Sequence, residues 1–289
     1  MNKTGMSAVS DFRWRKMRKQ NIPLTEKLLR ERELWCVSAC GRYLKRNSSS
    51  DAVWVLLDSG GGIHALIVYV NRNLLPVFCG RGQIPNPKVF KRLFGLIPVH
   101  SVQGLLNEAV FIENYLSECN LQAVDKIDYN LMYIDSVPNS AGFGAGPAGL
   151  ILRGAQSGDL DQLAGLQGGY EQEEVLPYGS SFNQLASRLT TEKIFAQEQL
   201  LVAELGGRLV GKINTSASSF TRFQVGGVYV LPGFRGMGIA RRMTAQFVST
   251  LIKQGKGVSL FVKKSNAAAI SVYHRLGFKF LADYRISYY

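Results

Sequence analysis

A strand stopped by proline, a turn with two glycines and a helix start follow one another between Val228 and Ala240. That succession can hold an anion. Val228, Tyr229, Val230 and Leu231 precede Pro232, and Arg235, Gly236, Met237, Gly238, Ile239 and Ala240 lead into a helix marked by Met243, Phe247 and Leu251 at helical spacing. Glycines let the backbone approach a phosphate closely, and the unpaired amides and positive end of the helix attract it. Further on, Asn266 caps a second helix that Gly277 closes, and Tyr273 lies two turns from Asn266 on the same face. An amide and a phenol, a proton donor, are thereby aimed at one place.

The pattern Arg-x-x-Gly-x-Ala, followed in order by Asn-x-x-Ala-x-x-x-Tyr-x-x-x-Gly-Phe on Asn266, Ala269, Tyr273, Gly277 and Phe278, resembles the GNAT superfamily of acetyl-CoA-dependent acyltransferases. The resemblance implies that backbone amides of Gly236, Met237, Gly238, Ile239, Ala240 and Arg241 hold the coenzyme pyrophosphate, with Arg235 supporting the loop. Val228, Tyr229 and Val230 would pair through their backbone with the pantetheine arm. Asn266 matches the position that contacts pantetheine, and Tyr273 matches the general acid. The activity implied is N-acetylation of a primary amine on a small metabolite or peptide, with acetyl-CoA as co-substrate and no metal. A non-catalytic acyl-CoA-binding regulatory module is the alternative. The general base is open: some relatives carry a glutamate five residues before the motif asparagine, and here that position is Phe261. Glu171, Glu173, Glu174 and Glu204 remain as carboxylates, without an assigned role.

These residues need elements to position them. The fold expected is α/β (α+β), a mixed twisted sheet of the GNAT type in the C-terminal half. Apolar runs at 53–57, 63–70 and 74–79 read as strands, the first two joined by a glycine-rich hairpin turn. A helix at 24–46 precedes them; a helical stretch at 89–94, a short strand at 99–102, a helix at 107–116 and a strand at 127–134 follow. The tract 138–147, rich in glycine, serine and proline, reads as a linker. Its glycine-rich core, residues 142–146, is no dinucleotide motif, because no strand precedes it and a strand at 150–152 follows. Helices at 160–166 and 182–189 and strands at 200–203, 209–213 and 223–230 lead to the first stretch. The division expected is a basic tail at 1–20, an N-terminal domain at 21–137, the linker, and a catalytic domain at 148–289. Both halves show one order of elements. With the strands around Asn73 and Val77, this resembles GNAT proteins that carry an additional domain. The first half reads as a degenerate GNAT-like copy in a pseudo-dimer, without a coenzyme site: Pro85 and Pro87 interrupt its turn, and Asn107 has Asn114 seven residues on instead of a tyrosine.

The chain of 289 residues carries a formal charge of +13, which attracts polyanions in general. The excess is shared between the halves without an aromatic-interleaved binding motif, which argues against nucleic acid, and Arg235, Arg241, Arg242, Lys263 and Lys264 flank the proposed coenzyme site. The four cysteines, Cys36, Cys40, Cys79 and Cys119, form no Cys-x-x-Cys pair and read as buried thiols rather than a metal site or disulfide framework. Apolar runs are too short to cross a bilayer and the first residues lack a signal-peptide core, so a cytoplasmic protein without a membrane partner is expected. Composition leaves the oligomeric state open.

Overall fold

The structure, a computed structural model, describes residues 12–79, 97–139 and 146–289. In the first half the strands are β1 (Arg13–Lys16), β2 (Ala52–Leu57), β3 (Ile63–Val70), β4 (Asn73–Phe78), β5 (Ser101–Leu105) and β6 (Asp125–Ile134). Helices α1 (Ile22–Glu31) and α2 (Val37–Lys45) stand between β1 and β2, and α3 (Leu106–Glu118) between β5 and β6. The second half repeats the strand order with β7 (Ile151–Gly154), β8 (Leu200–Leu205), β9 (Arg208–Ser218), β10 (Arg222–Val230), β11 (Gly257–Lys263) and β12 (Lys279–Tyr288). Its helices are α4 (Leu160–Tyr170), α5 (Gln184–Gln197), α6 (Ile239–Lys253) and α7 (Ala267–Arg275).

All these strands form one mixed sheet in the order β1-β2-β3-β4-β5-β12-β6-β11-β10-β9-β8-β7. Exchanging each strand for its counterpart in the other half reproduces the same order read backwards, so the halves are related by a pseudo-twofold. The last strands are exchanged at its centre. β12 runs antiparallel to β5, with Tyr284 opposite Leu105, and β6 runs antiparallel to β11, with Met132 opposite Leu260. Each half thus completes the other. The central strands are apolar on both faces: Met132 and Ile134 of β6 join the core under α6 and α7, while Tyr129 and Leu131 join a cluster with Tyr284 on the opposite face. Such two-sided burial is why β6 reads as a nearly continuous apolar run.

Three expectations are corrected. Part of the supposed basic tail is the edge strand β1, whose Trp14 is buried against β2. The helix expected at 24–46 is two helices separated by a 3₁₀ turn, Glu33–Trp35. The turn carries Glu33 inward, where its carboxylate accepts hydrogen bonds from the Ser219 hydroxyl (2.5 Å), the Thr221 amide (2.6 Å) and the Thr221 hydroxyl (2.7 Å). These charge-assisted bonds link residues far apart in sequence, so local periodicity holds no trace of the break. Of the cysteines, Cys36 and Cys40 are buried, but Cys79 is exposed and Cys119 half-buried. The stretch expected as a helix at 89–94, the proline-bearing turn before it and most of the glycine-rich tract 142–146 lie outside the described residues.

Candidate active site

The site begins where β10 leaves its neighbour. β10 and β11 pair in parallel from Arg222 opposite Gly257 to Val225 opposite Leu260, and there the ladder ends. Beyond it, Phe261, Val262 and Lys263 of β11 pair on their other side with Leu131, Asn130 and Tyr129 of β6. β10 meanwhile bulges between Gly226 and Tyr229 against β9. A bulge of this kind bends and twists its strand. Gly227 takes φ of 60°, and a Cβ there would overlap the Lys212 ammonium and the Asn214 side chain, so glycine is required twice over. The edge of β10 that carries Val228, Tyr229 and Val230 is left facing a cleft instead of a strand.

At the end of β10 a 3₁₀ turn, Pro232–Phe234, leads into the glycine turn. Gly236 and Gly238 have φ of 79° and 76°, and Gly238 is the N-cap of α6. The first amide bonded back to this cap is that of Arg242 (3.1 Å), so the amides of Ile239 and Ala240 belong to the helix start that the helix itself does not pair. Space beside Gly236 is open. Arg235 is pinned: its Nε donates to the Val230 carbonyl (2.9 Å) and its Nη2 to both oxygens of Glu173 (3.0 and 2.7 Å). It braces the loop.

On the facing wall, the Asn266 Oδ1 caps α7 by accepting from the Ala269 amide (3.0 Å), and its Nδ2 donates to Glu174 (3.1 Å). Tyr273 is buried, with its ring 5.7 Å from that of Phe278. Burial pushes its phenol well above the usual range, and the nearby Tyr170 and Glu174 push the same way. One cavity of about 1600 Å³ is lined by Tyr273, Asn266, Val228, Tyr229 and Val230 together with Arg235, Gly236, Met237, Gly238, Ile239, Ala240 and Arg241. The residues expected from the sequence to act together therefore share one space.

Three features escape a sequence reading. α4 continues into a π-helical turn, Glu171–Val175, which brings Glu171, Glu173 and Glu174 to the cavity. Glu173 accepts from the Tyr229 hydroxyl (2.7 Å) as well as from Arg235; partial burial pushes its carboxyl up, but these two donors hold it below the usual range. Gly169 lets α4 come this close, since a Cβ there would stand 2.5 Å from the Tyr229 oxygen. Finally Lys212, on β9, is 2% exposed, and its ammonium donates to the Gly227 carbonyl (3.0 Å) and Asn214 Oδ1 (3.0 Å). Desolvation draws its pKa down to about 7, against the pull of Glu171. The one sequence signal for it is a lysine inside the apolar run Leu209-Val210-Gly211-Lys212-Ile213. Glu204 lies elsewhere, bound to Arg153 (2.7 Å). Phe261 lines the cavity and stacks on Tyr284 at 4.0 Å, so β11 supplies an aromatic ring where some relatives have a carboxylate. Among the described residues no group of His, Cys, Asp and Glu could hold a metal ion, and no helix is long and apolar enough to cross a membrane.

An opened strand edge, a glycine turn at a helix start and a phenol on the same cavity wall make a site suited to an anion carried on an extended arm beside a proton donor. Comparison with known proteins agrees: residues 169–278 match the family model described as Acetyltransferase (GNAT) family. The chain carries a GNAT acetyltransferase domain preceded by a further N-terminal half, and it is a transferase. Among solved structures, a GCN5-related N-acetyltransferase from Sphaerobacter thermophilus is 19% identical, with 96% of this chain and 94% of that one covered at a TM-score of 0.60. A tandem GNAT protein from the clavulanic acid biosynthesis pathway is 13% identical, with 96% and 98% covered at a TM-score of 0.58. For a GNAT-family protein of Novosphingobium aromaticivorans, 21% identical, the chain spans 65% of that protein's length and 57% of its own is covered, at a TM-score of 0.43. At these identities the likeness is one of fold. No curated protein matches the chain in sequence.

Proposed function

We propose that the protein transfers the acetyl group of acetyl-CoA to a primary amine of a small metabolite or peptide, by direct attack, with Tyr273 as general acid. The observation that carries this reading is the parting of β10 from β11 beside the Gly236 and Gly238 turn, in the cavity that Tyr273 lines. The residues present fit the coenzyme. Open space at Gly236 and the amides at the start of α6 suit a pyrophosphate, and the unpaired edge of β10 suits an amide-bearing arm.

In the reaction the neutral amine nitrogen attacks the thioester carbonyl. A C–N bond forms, the C–S bond breaks, and the electron pair leaves on sulfur. Tyr273 gives its proton to that thiolate, and the proton lost by the amine returns through solvent to the phenolate. Burial supports this role, because a phenol held above its usual range stays protonated and able to donate throughout the neutral region.

The test is a thiol-release assay with acetyl-CoA against amino acids, polyamines, aminoglycosides and peptides, with Tyr273→Phe in parallel. The expected result is turnover with one amine class and a ~10²-fold loss of kcat in the variant, with acetyl-CoA affinity unchanged. Undiminished turnover by Tyr273→Phe, with chemistry rate-limiting, would remove the assigned acid. Acetyl-CoA binding without turnover of any amine would favour the acyl-CoA-binding module instead.

A further inference from the structure

The cavity extends from the GNAT domain onto the N-terminal half, where α2 lies against β9 and β10. A Cβ on Gly41 would stand 3.0 Å from the Ser218 carbonyl, so the helix backbone is seated on β9, and the Ser38 hydroxyl donates to Gln224 Oε1 (2.7 Å). Ser38, Arg42 and Lys45 follow at helical spacing and all line the cavity. Lys45 is paired with Glu198 (2.9 Å). Arg42 is not: among the described residues the titratable neighbour that acts on it is the Tyr284 phenol, and desolvation lowers its pKa. Tyr284 in turn stacks on Phe261, which lines the cavity on the strand that parts from β10.

A half-buried guanidinium without a carboxylate is partly stripped of water at a cost, and an anion arriving in the cavity would offset it. Its planar fork suits a two-pronged oxyanion such as a carboxylate. The coenzyme phosphates already have the glycine turn and the start of α6. The π turn brings carboxylates to the cavity: Glu173 and Glu174 are engaged by Arg235, Lys263 and Asn266, while Glu171 has Gln167 as its hydrogen-bond partner (2.7 Å). A cation on the N-terminal half and a carboxylate on the π turn match the two ends of a zwitterion.

We infer that Arg42 binds the carboxylate of the acceptor, so that the acceptor is an amino acid or another small amino carboxylate and the N-terminal half is a specificity element of the acetyltransferase site. This rests on the acetyltransferase reading above and narrows its acceptor class.

The test uses the full chain and matched acceptors that differ in the anion: glycine with glycinamide, β-alanine with its amide, and phosphoethanolamine with ethanolamine. The carboxylate member of the first two pairs should be preferred by at least ~10-fold in kcat/KM, and phosphoethanolamine should gain no comparable preference over ethanolamine. Arg42→Gln should raise the KM of the carboxylate member by ~10- to 100-fold with kcat nearly unchanged, leave the amide unaffected, and be partly rescued by Arg42→Lys. A merely structural role would shift both members alike, and that outcome, or equal use of amides by the unaltered protein, would overturn the inference. Preference for phosphoethanolamine alone would overturn the carboxylate assignment. Independently of turnover, propionate should bind the CoA-saturated protein and bind Arg42→Gln at least ~10-fold more weakly; no binding to the unaltered protein would also overturn it. Acetyl-CoA titration of both proteins keeps the two failures apart: absence of coenzyme binding by the unaltered protein contradicts the acetyltransferase reading, whereas equal coenzyme binding by both proteins with no difference in carboxylate use or propionate binding contradicts the role of Arg42 alone.

Discussion

Lys212 links a single side chain to the shape of the site. Its ammonium holds the carbonyl of Gly227, the bulge residue from which β10 diverges, and it does so while almost wholly buried. The linkage has a definite sign. A lysine lowered from 10.5 to about 7 on folding binds fewer protons in the folded state between those values, so its contribution to stability rises with pH across that window and is least favourable below about 7. The stability of the unaltered protein minus that of Lys212→Met should therefore increase as pH is raised from about 6 to about 9, in denaturant melts at each pH. The variant should also lose ~10-fold in kcat/KM, since a misplaced bulge misplaces the acyl group. A stability difference flat in pH would contradict the buried, depressed ammonium. Beyond its place inside an apolar run, the sequence held no reason to choose this lysine, because what depresses it is burial by residues distant in sequence, Tyr170 among them with its ring 5.0 Å from the ammonium.

At the scale of elements, legibility followed the range of the interactions. The glycine turn and the helices α6 and α7 were readable because their signals are local: caps, glycines at positive φ and apolar positions at helical spacing. Tyr273 and Asn266 could be placed on one face for the same reason. The break between α1 and α2, the edge strand β1 and the π turn after α4 were not readable. Glu33 is drawn inward by Ser219 and Thr221, β1 needs β2 as its template, and Glu173 is held by Tyr229 and Arg235. In each case the partner is distant in sequence. The absence of a carboxylate at Phe261 was legible, but its stacking on Tyr284 belongs to a strand pairing that element order does not reveal.

For the whole molecule, the exchange of β6 and β12 is the decisive feature. A boundary in the glycine-rich tract separates two runs of similar elements, but β11 has β6 as its partner and β12 lies between β5 and β6. Expressing residues 146–289 alone should consequently leave β11 and β12 with open edges, giving an aggregated or self-paired product with a melting temperature well below that of the full chain. Co-expression with residues 1–139 should restore a soluble complex, and a well-folded monomer of 146–289 would contradict this dependence. The exchange also explains how a side chain of α2 comes to line the cavity of the GNAT domain. The central claim, that coenzyme occupies the cleft where β10 leaves β11, is tested most directly by amide hydrogen exchange of the full chain with and without acetyl-CoA. The account predicts slowed exchange concentrated in residues 228–230 and 236–241; acetyl-CoA that binds without protecting either segment, or that protects a different region, would contradict it.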